Sequence, residues 1–184
     1  MVFSLVMLPI CVCIGVVIGV LIYAEDRGPV FYKSPRIGKN GKKFNMLKFR
    51  SMKIDAPDWR NDDGSTYNSS NDLRVTKIGK FIRETSLDEL PQLLNVLIGE
   101  MSIVGPRAST WDVLDTYKPD ELDKLKVLPG ITGYSQAYYR NELSAREKRL
   151  RDAWYANHQS FGFDVKIFFK TIQTVILRRN IYTN

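Results

Sequence analysis

The chain has 184 residues, 44% hydrophobic and 26% charged, which suits one folded domain together with a membrane element. Lys and Arg number 27 against 20 Asp and Glu, a net charge of +7. Such an excess points to nucleic acid, an anionic membrane surface or anionic substrates, and composition alone does not choose among them. The two cysteines, Cys11 and Cys13, lie too close together to staple a fold and both fall in an apolar run, so they read as apolar filler, with neither a disulfide nor a metal site.

Residues 2–23 carry no charged side chain, and 22 residues are enough to span a bilayer. No basic run precedes them and no small-x-small cleavage site follows, which argues against a secretory signal. Pro9 interrupts the segment and can kink or break a membrane helix. The residues alone do not separate a span from a re-entrant hairpin. Glu25-Asp26-Arg27-Gly28-Pro29 then reads as a turn at the membrane exit. Beyond it, Lys33, Arg36, Lys39, Lys42, Lys43, Lys48, Arg50 and Lys53 follow with no acidic residue among them, so the positive-inside rule puts this side in the cytoplasm. Val30-Phe31-Tyr32 and Phe44-Asn45-Met46-Leu47 flank Gly38-Lys39-Asn40-Gly41, the pattern of a β-hairpin with a Gly/Asn turn. Lys48 and Arg50 alternate with Phe49 and would share one strand face, ordinarily a solvated one.

Residues 56–71 are polar and rich in Asp, Asn, Ser and Gly, and are expected to form a mobile loop. Val75, Ile78, Phe81 and Ile82 then have helical spacing. In Arg83-Glu84-Thr85-Ser86-Leu87-Asp88-Glu89-Leu90-Pro91-Gln92, Ser86 and Glu89 have the spacing of a capping box. Asp88 and Glu89 would then sit in a first helical turn, where free N–H groups favour negative charge. Acids there are ordinarily simple caps. Leu90, Leu93, Leu94 and Leu97 form an apolar stripe, Gly99 ends the helix, Ser102-Ile103-Val104 reads as a strand, and Gly105-Pro106 turns it toward Arg107. The planar fork of an arginine suits a diphosphate.

Pro119 begins a further helix at its first position, which Pro129-Gly130 closes. Tyr138 and Tyr139 fit a base- or sugar-stacking role and a lipid-interface role equally well. Ser144 and Glu147 form a second capping box. His158, the sole histidine, has no partners for a triad or a metal set and reads as structural. Val165, Phe168, Phe169, Ile172, Val175 and Ile176 share a helical face, with Lys166, Lys170, Gln173 and Arg178 largely elsewhere. That suits a basic amphipathic helix on a membrane and a core-facing helix about equally.

Several of these stretches resemble, in the same order along nearly the whole chain, the signatures of the bacterial sugar transferases, the monotopic phosphoglycosyl transferases that start glycan assembly on a polyprenyl phosphate. They are Gly28-Pro29-Val30-Phe31 with Arg36-Ile37-Gly38, Lys48-Phe49-Arg50-Ser51-Met52, the segment from Arg83 to Gln92, Asn95-Val96-Leu97-Ile98-Gly99-Glu100-Met101-Ser102-Ile103-Val104-Gly105-Pro106-Arg107, and Pro129-Gly130-Ile131-Thr132-Gly133. The chain departs from the family pattern at Leu73 and Ala108, where the family has proline, and at Ala137-Tyr138-Tyr139. The family also carries basic and polar residues ahead of the apolar segment. Here Met1 leads straight into it, which reads as a shortened N-terminus.

The resemblance implies an α+β fold, mostly helical, with a small β-hairpin and interfacial amphipathic helices. It implies that residues 1–24 form a re-entrant helix-break-helix and residues 25–184 a catalytic domain on the cytoplasmic face of the bacterial inner membrane. It further implies that Asp88 attacks the β-phosphate of a UDP-sugar, releases UMP and holds a phosphosugar, which polyprenyl phosphate (undecaprenyl phosphate in bacteria) then takes. Glu89 would hold Mg²⁺ or accept a proton, and Asp88 and Glu89 together would be the metal ligands. Lys48, Arg50, Arg83 and Arg107 would bind substrate phosphates. Two anionic substrates beside two carboxylates require such cations. The contrasting reading is a non-enzymatic membrane adaptor that keeps the fold; intact Asp88, Glu89, Arg83 and Arg107 speak against it. The apolar segment and the acidic pair speak against nucleic acid as a partner. The sequence allows a homo-oligomer without fixing the oligomeric state.

Overall fold

The computed structural model describes residues 2–60, 67, 69, 71–139 and 142–177. The chain opens with helix α1, Val2–Asp26, which runs through Pro9 as one α-helix. At 1.5 Å per residue it is about 37 Å long. The hairpin follows: β1, Phe31–Ile37, pairs antiparallel with β2, Lys43–Phe49, Phe31 opposite Phe49 and Ile37 opposite Lys43. Its turn places Asn40 and Gly41 at φ 57° and 70°, the left-handed region that asparagine and glycine tolerate. Helix α2 spans Lys77–Glu84 and α3 spans Gln92–Leu97, with a short 3₁₀ turn, Leu87–Glu89, between them. Strands β3, Ser102–Val104, and β4, Gly130–Thr132, form a small parallel pair. Helices α4, Tyr134–Tyr138, α5, Ala145–His158, and α6, Phe161–Ile176, complete the fold. Mostly helical with two small sheets, the architecture agrees with the expected class. The turn after Pro119 is a 3₁₀ helix, Pro119–Lys126, where an ordinary helix was expected.

Three apolar clusters hold these elements together. Ile18 and Ile22 of α1, one turn apart, pack with Phe49 and Ile82, and Val30, Ile78, Leu87 and Leu90 close around them. Phe44 and Met46 of the hairpin meet Val96, Met101 and Ala108. Ala137, Tyr155 and Ile167 join α4, α5 and α6. Full burial of side chains of this size stabilises by about 1.5–3 kcal/mol each. Among the described side chains of α1, those of its C-terminal part are used in this way. Val16, Val17 and Val20 remain 60–62% exposed, and from Pro9 to Asp26 the helix is long and apolar enough to cross a membrane.

The expected loop over residues 56–71 falls partly outside the described residues. Its described part is pinned. Arg74 bonds Asp72 and the carbonyls of Pro57 and Tyr67, and lies over the rings of Trp59 and Tyr67 at 4.6 and 5.5 Å. On α6 the buried side chains are Ile167 and Thr174, while Phe169 is 64% exposed. The face predicted from sequence as the apolar one therefore looks largely outward. The inward face is completed by hydroxyls, since Thr171 bonds Thr132 at 2.6 Å and Thr174 donates to the Ala137 carbonyl.

Candidate active site

The acidic pair sits in a turn that differs from the capping box expected from its sequence. Ser86 adopts φ 58° and makes no side-chain cap bond. Helix α2 ends at Glu84, and the left-handed residue leads directly into the 3₁₀ turn Leu87–Glu89, so Asp88 and Glu89 lie in a first helical turn as expected but without a side-chain cap. Leu87 and Leu90, on either side, are drawn into the α1 cluster, and Asp88 and Glu89 between them meet Lys48 of β2. Lys48 Nζ donates to Glu89 Oε1 at 2.7 Å and lies 3.5 Å from Asp88 Oδ2. The side chains of Lys48, Asp88 and Glu89 are only 16%, 12% and 19% exposed. The strand alternation explains the placement: Phe49 enters the core, so Lys48 is carried to the opposite face.

A buried amide sets the strand against the turn. Asn95, 1% exposed on α3, accepts from the Leu47 N–H at 3.0 Å and donates to the Asn45 carbonyl at 2.9 Å and to Glu100 at 2.7 Å. It satisfies the outer edge of β2 immediately beside Lys48. Nothing in the sequence marked Asn95 for this role, because its partners on the strand lie 48 and 50 positions away.

Arg107 is half exposed, and its Nη1 lies 3.5 Å from Glu89 Oε1. Its turn is gripped from beneath. Buried Lys124 donates to the Arg107 carbonyl at 3.0 Å and to Ser109 Oγ at 3.2 Å, and pairs with buried Asp152 at 3.6 Å. Sequence reading passed over Lys124 and Asp152, which lie in ordinary charged helical runs. Arg83 donates through Nε to Ser51 Oγ at 2.8 Å, and its charge reaches Asp88. Arg50 lies elsewhere. Its guanidinium is held by Asp26, with further bonds to the carbonyls of Pro29 and Met52. Lys48, Arg83 and Arg107 are thus brought around the two carboxylates, whereas the charge of Arg50 ties the end of α1 to the hairpin. Tyr138 and Tyr139 belong to an aromatic cluster with Tyr134, and Arg151 covers the ring of Tyr139. His158 stacks on Trp154, 4.4 Å between rings.

The two carboxyls are driven apart. Burial pushes Asp88 up, against the pull of Lys48 and with the help of the Glu89 charge. Burial acts on Glu89 as well, but Lys48 and Arg107 outweigh it by charge and hydrogen bond and hold Glu89 down at about 2. Three cations facing two carboxylates leave a positive excess suited to anionic substrates. Among the described residues no group of three His, Cys, Asp or Glu forms a metal cage. Two adjacent carboxylates, completed by phosphate oxygens and water, are the donor set that suits Mg²⁺.

A profile of the family described as "bacterial sugar transferase" matches residues 1–178. The chain belongs to this family. It is 43% identical over 169 residues to an uncharacterized sugar transferase of Haemophilus influenzae, covering 86% of the chain and 36% of that protein. It is 42% identical over 173 residues to the exopolysaccharide production protein ExoY of Rhizobium meliloti, covering 88% and 76% of the two chains. It is 38% identical over 173 residues to the undecaprenyl-phosphate galactose phosphotransferase of Salmonella typhimurium, covering 86% of the chain and 36% of that protein. The chain therefore spans little more than a third of the Haemophilus and Salmonella proteins and about three quarters of the Rhizobium one.

Proposed function

We propose that this chain transfers a phosphosugar from a UDP-sugar to a polyprenyl phosphate, giving a polyprenyl-diphospho-sugar and UMP, through a covalent intermediate on Asp88. The observation that carries the reading is the buried Asp88–Glu89 pair bridged by Lys48, at the foot of an apolar helix whose Ile18 and Ile22 pack in one cluster with Leu87 and Leu90. One substrate is soluble and the other stays in lipid, so the chemistry belongs where an apolar helix meets a charged site. The relatives' names, which include undecaprenyl-phosphate galactose and glucose phosphotransferases, support the same acceptor.

An Asp88 carboxylate oxygen forms a bond to the β-phosphorus. The bond from that phosphorus to the bridging oxygen breaks, and UMP leaves with the oxygen and its electron pair. Asp88 then carries the phosphosugar as an acyl phosphate, a mixed anhydride as reactive as the one consumed. An oxygen of the lipid phosphate attacks the same phosphorus and the Asp88 carboxylate is restored. Asp88 is the better nucleophile of the pair because Glu89 is neutralised more closely, by both Lys48 and Arg107. Arg107 and Arg83 orient phosphate oxygens and balance their charge. Asp88 and Glu89 would hold Mg²⁺, which when bound supplies further neutralisation of the diphosphate.

The basic run from Lys33 to Lys53 supports a catalytic domain on the cytoplasmic face of the inner membrane. The α1 segment, one continuous helix through Pro9, inserts into the membrane, and the exposed Val165, Phe169 and Ile172 of α6 rest at the interface. The test is intact mass on the full chain in detergent with Mg²⁺ and a panel of UDP-sugars headed by UDP-galactose and UDP-glucose, without acceptor. A phosphosugar-sized gain that is absent in Asp88→Asn and discharged by polyprenyl phosphate is expected. Lipid product without an adduct would replace the covalent route with direct transfer. Neither adduct nor product with any donor would leave the adaptor reading.

A further inference from the structure

Arg36 lies on β1 between buried Ser34 and Ile37. Its Nε donates to Ser34 Oγ at 3.1 Å, and its Nη1 reaches the Ala108 carbonyl at 3.5 Å. A β-bridge joins Arg36 to Thr110, and the Ile37 N–H donates to the Ser109 carbonyl at 3.0 Å. The strand is thereby stitched to the turn that carries Arg107. Three other partly or fully buried arginines of this fold each have a carboxylate: Arg50 has Asp26, Arg74 has Asp72, and Arg149 has Glu121. Arg36 has no carboxylate within ion-pair reach among the described residues, and nearby Asp112 is engaged by Arg60 at 3.7 Å. Burial, then the charge of Arg107, press the Arg36 guanidinium down to about 10, against the opposing pull of Tyr32 and Asp112. It is still charged at neutral pH. The Arg36 guanidinium thus ends at the carbonyl of the residue next to Arg107, where the two like charges act on one another and one of them is largely withdrawn from water. Desolvating a cation beside a like charge is unfavourable unless an anion completes the arrangement.

We infer that Arg36 and Arg107 form a two-arginine cradle for a phosphate group of one of the two substrates, an inference that rests on the function proposed above for the nature of those substrates. The Arg107–Glu89 contact joins the cradle's Arg107 arm to the acidic pair. Guanidinium is the suitable cation because its planar fork matches two phosphate oxygens at once. The group is either the diphosphate of the soluble donor or the phosphate of the lipid.

The test is calorimetric titration of the full-length protein in detergent with pyrophosphate and with UDP, comparing wild type, Arg36→Met, Arg36→Lys and, as a control on the exposed hairpin turn, Lys39→Met. Arg36→Met is expected to weaken pyrophosphate binding by about tenfold or more, the size of a lost charge-assisted contact. Arg36→Lys should keep part of the affinity and Lys39→Met all of it. If UDP binding falls in parallel, the cradle serves the donor. If UDP binding is retained and the KM for polyprenyl phosphate rises, it serves the lipid. Wild-type affinity for pyrophosphate and UDP, with an unchanged lipid KM, in either Arg36 variant would overturn the inference. Arg36→Lys, which keeps charge and bulk, provides the same readout should Arg36→Met fail to fold. Arg36-dependent pyrophosphate binding by a wild-type protein that forms neither adduct nor lipid product would leave the cradle standing and remove the proposed reaction.

Discussion

Lys48 holds both carboxylates of the site, at 2.7 Å from Glu89 and 3.5 Å from Asp88, and this gives the two acids opposite pH behaviour. Glu89 is depressed to about 2. Its contribution to stability is present above the ordinary glutamate range and is lost as pH falls through about 2. Glu89→Gln should therefore lower the melting temperature at pH 7, by an amount that shrinks as the comparison is moved toward pH 2. Asp88 is raised by burial. Its favourable, protonated form is lost as pH rises through its folded-state pKa, so at neutral pH its charge strains the ligand-free fold. Asp88→Asn should melt at or above wild type at pH 7 while forming no adduct. A clearly lower melting temperature would contradict this account. In the proposed reaction the attacking form of Asp88 is the anion, so adduct formation should fall on the acid side at a pH above the ordinary aspartate range. Lys48→Met, which removes the cation pulling Asp88 down, should move that limb to higher pH, as single-turnover rates across pH would reveal.

Among the elements, α3 and β2 depend on one side chain. Asn95 satisfies the Leu47 N–H and the Asn45 carbonyl and anchors Glu100. Replacement by Leu would leave these partly buried groups without that partner, at up to about 1–3 kcal/mol for each. Asn95→Leu should lower the denaturation midpoint and reduce turnover beyond the loss of folded protein, because Lys48 is the next residue along the strand. The capping box at Ser144 forms as its sequence states: Ser144 Oγ accepts from the Glu147 N–H and Glu147 accepts in return. The same spacing at Ser86 does not form one. Local propensity decided the first because α5 is a fourteen-residue helix. It lost at Ser86 because the burial of Leu87 and Leu90 against α1 outweighs a cap of about 1 kcal/mol.

For the molecule as a whole, α1 serves two surroundings. Its Ile18 and Ile22 are 4% and 3% exposed in the protein, while Val16 and Val20 are both 62% exposed and apolar. Val16→Glu with Val20→Glu should leave the fold intact and release the protein from membranes, measured as loss of co-flotation with lipid vesicles at an unchanged melting temperature. Ile22→Glu should instead disrupt the fold, since it places a charge in the cluster that seats the acidic turn. The positions of the exposed residues, and not their hydrophobicity alone, separate the two outcomes.

The sequence by itself determined the apolar helix, the hairpin with its Asn40–Gly41 turn, the strand at Ser102–Val104 and the family to which the chain belongs, because each is written in neighbouring residues whose pattern or order is local. It also put Asp88, Glu89, Lys48, Arg83 and Arg107 forward together. The destination of Arg50, the outward turn of the α6 apolar face, the grip of Lys124 on the Arg107 turn and the pairing of Arg36 with Arg107 were decided only by the tertiary structure. Each depends on which distant partner lies within hydrogen-bond or Coulomb range once the clusters have closed, and residue type at a single position does not carry that information.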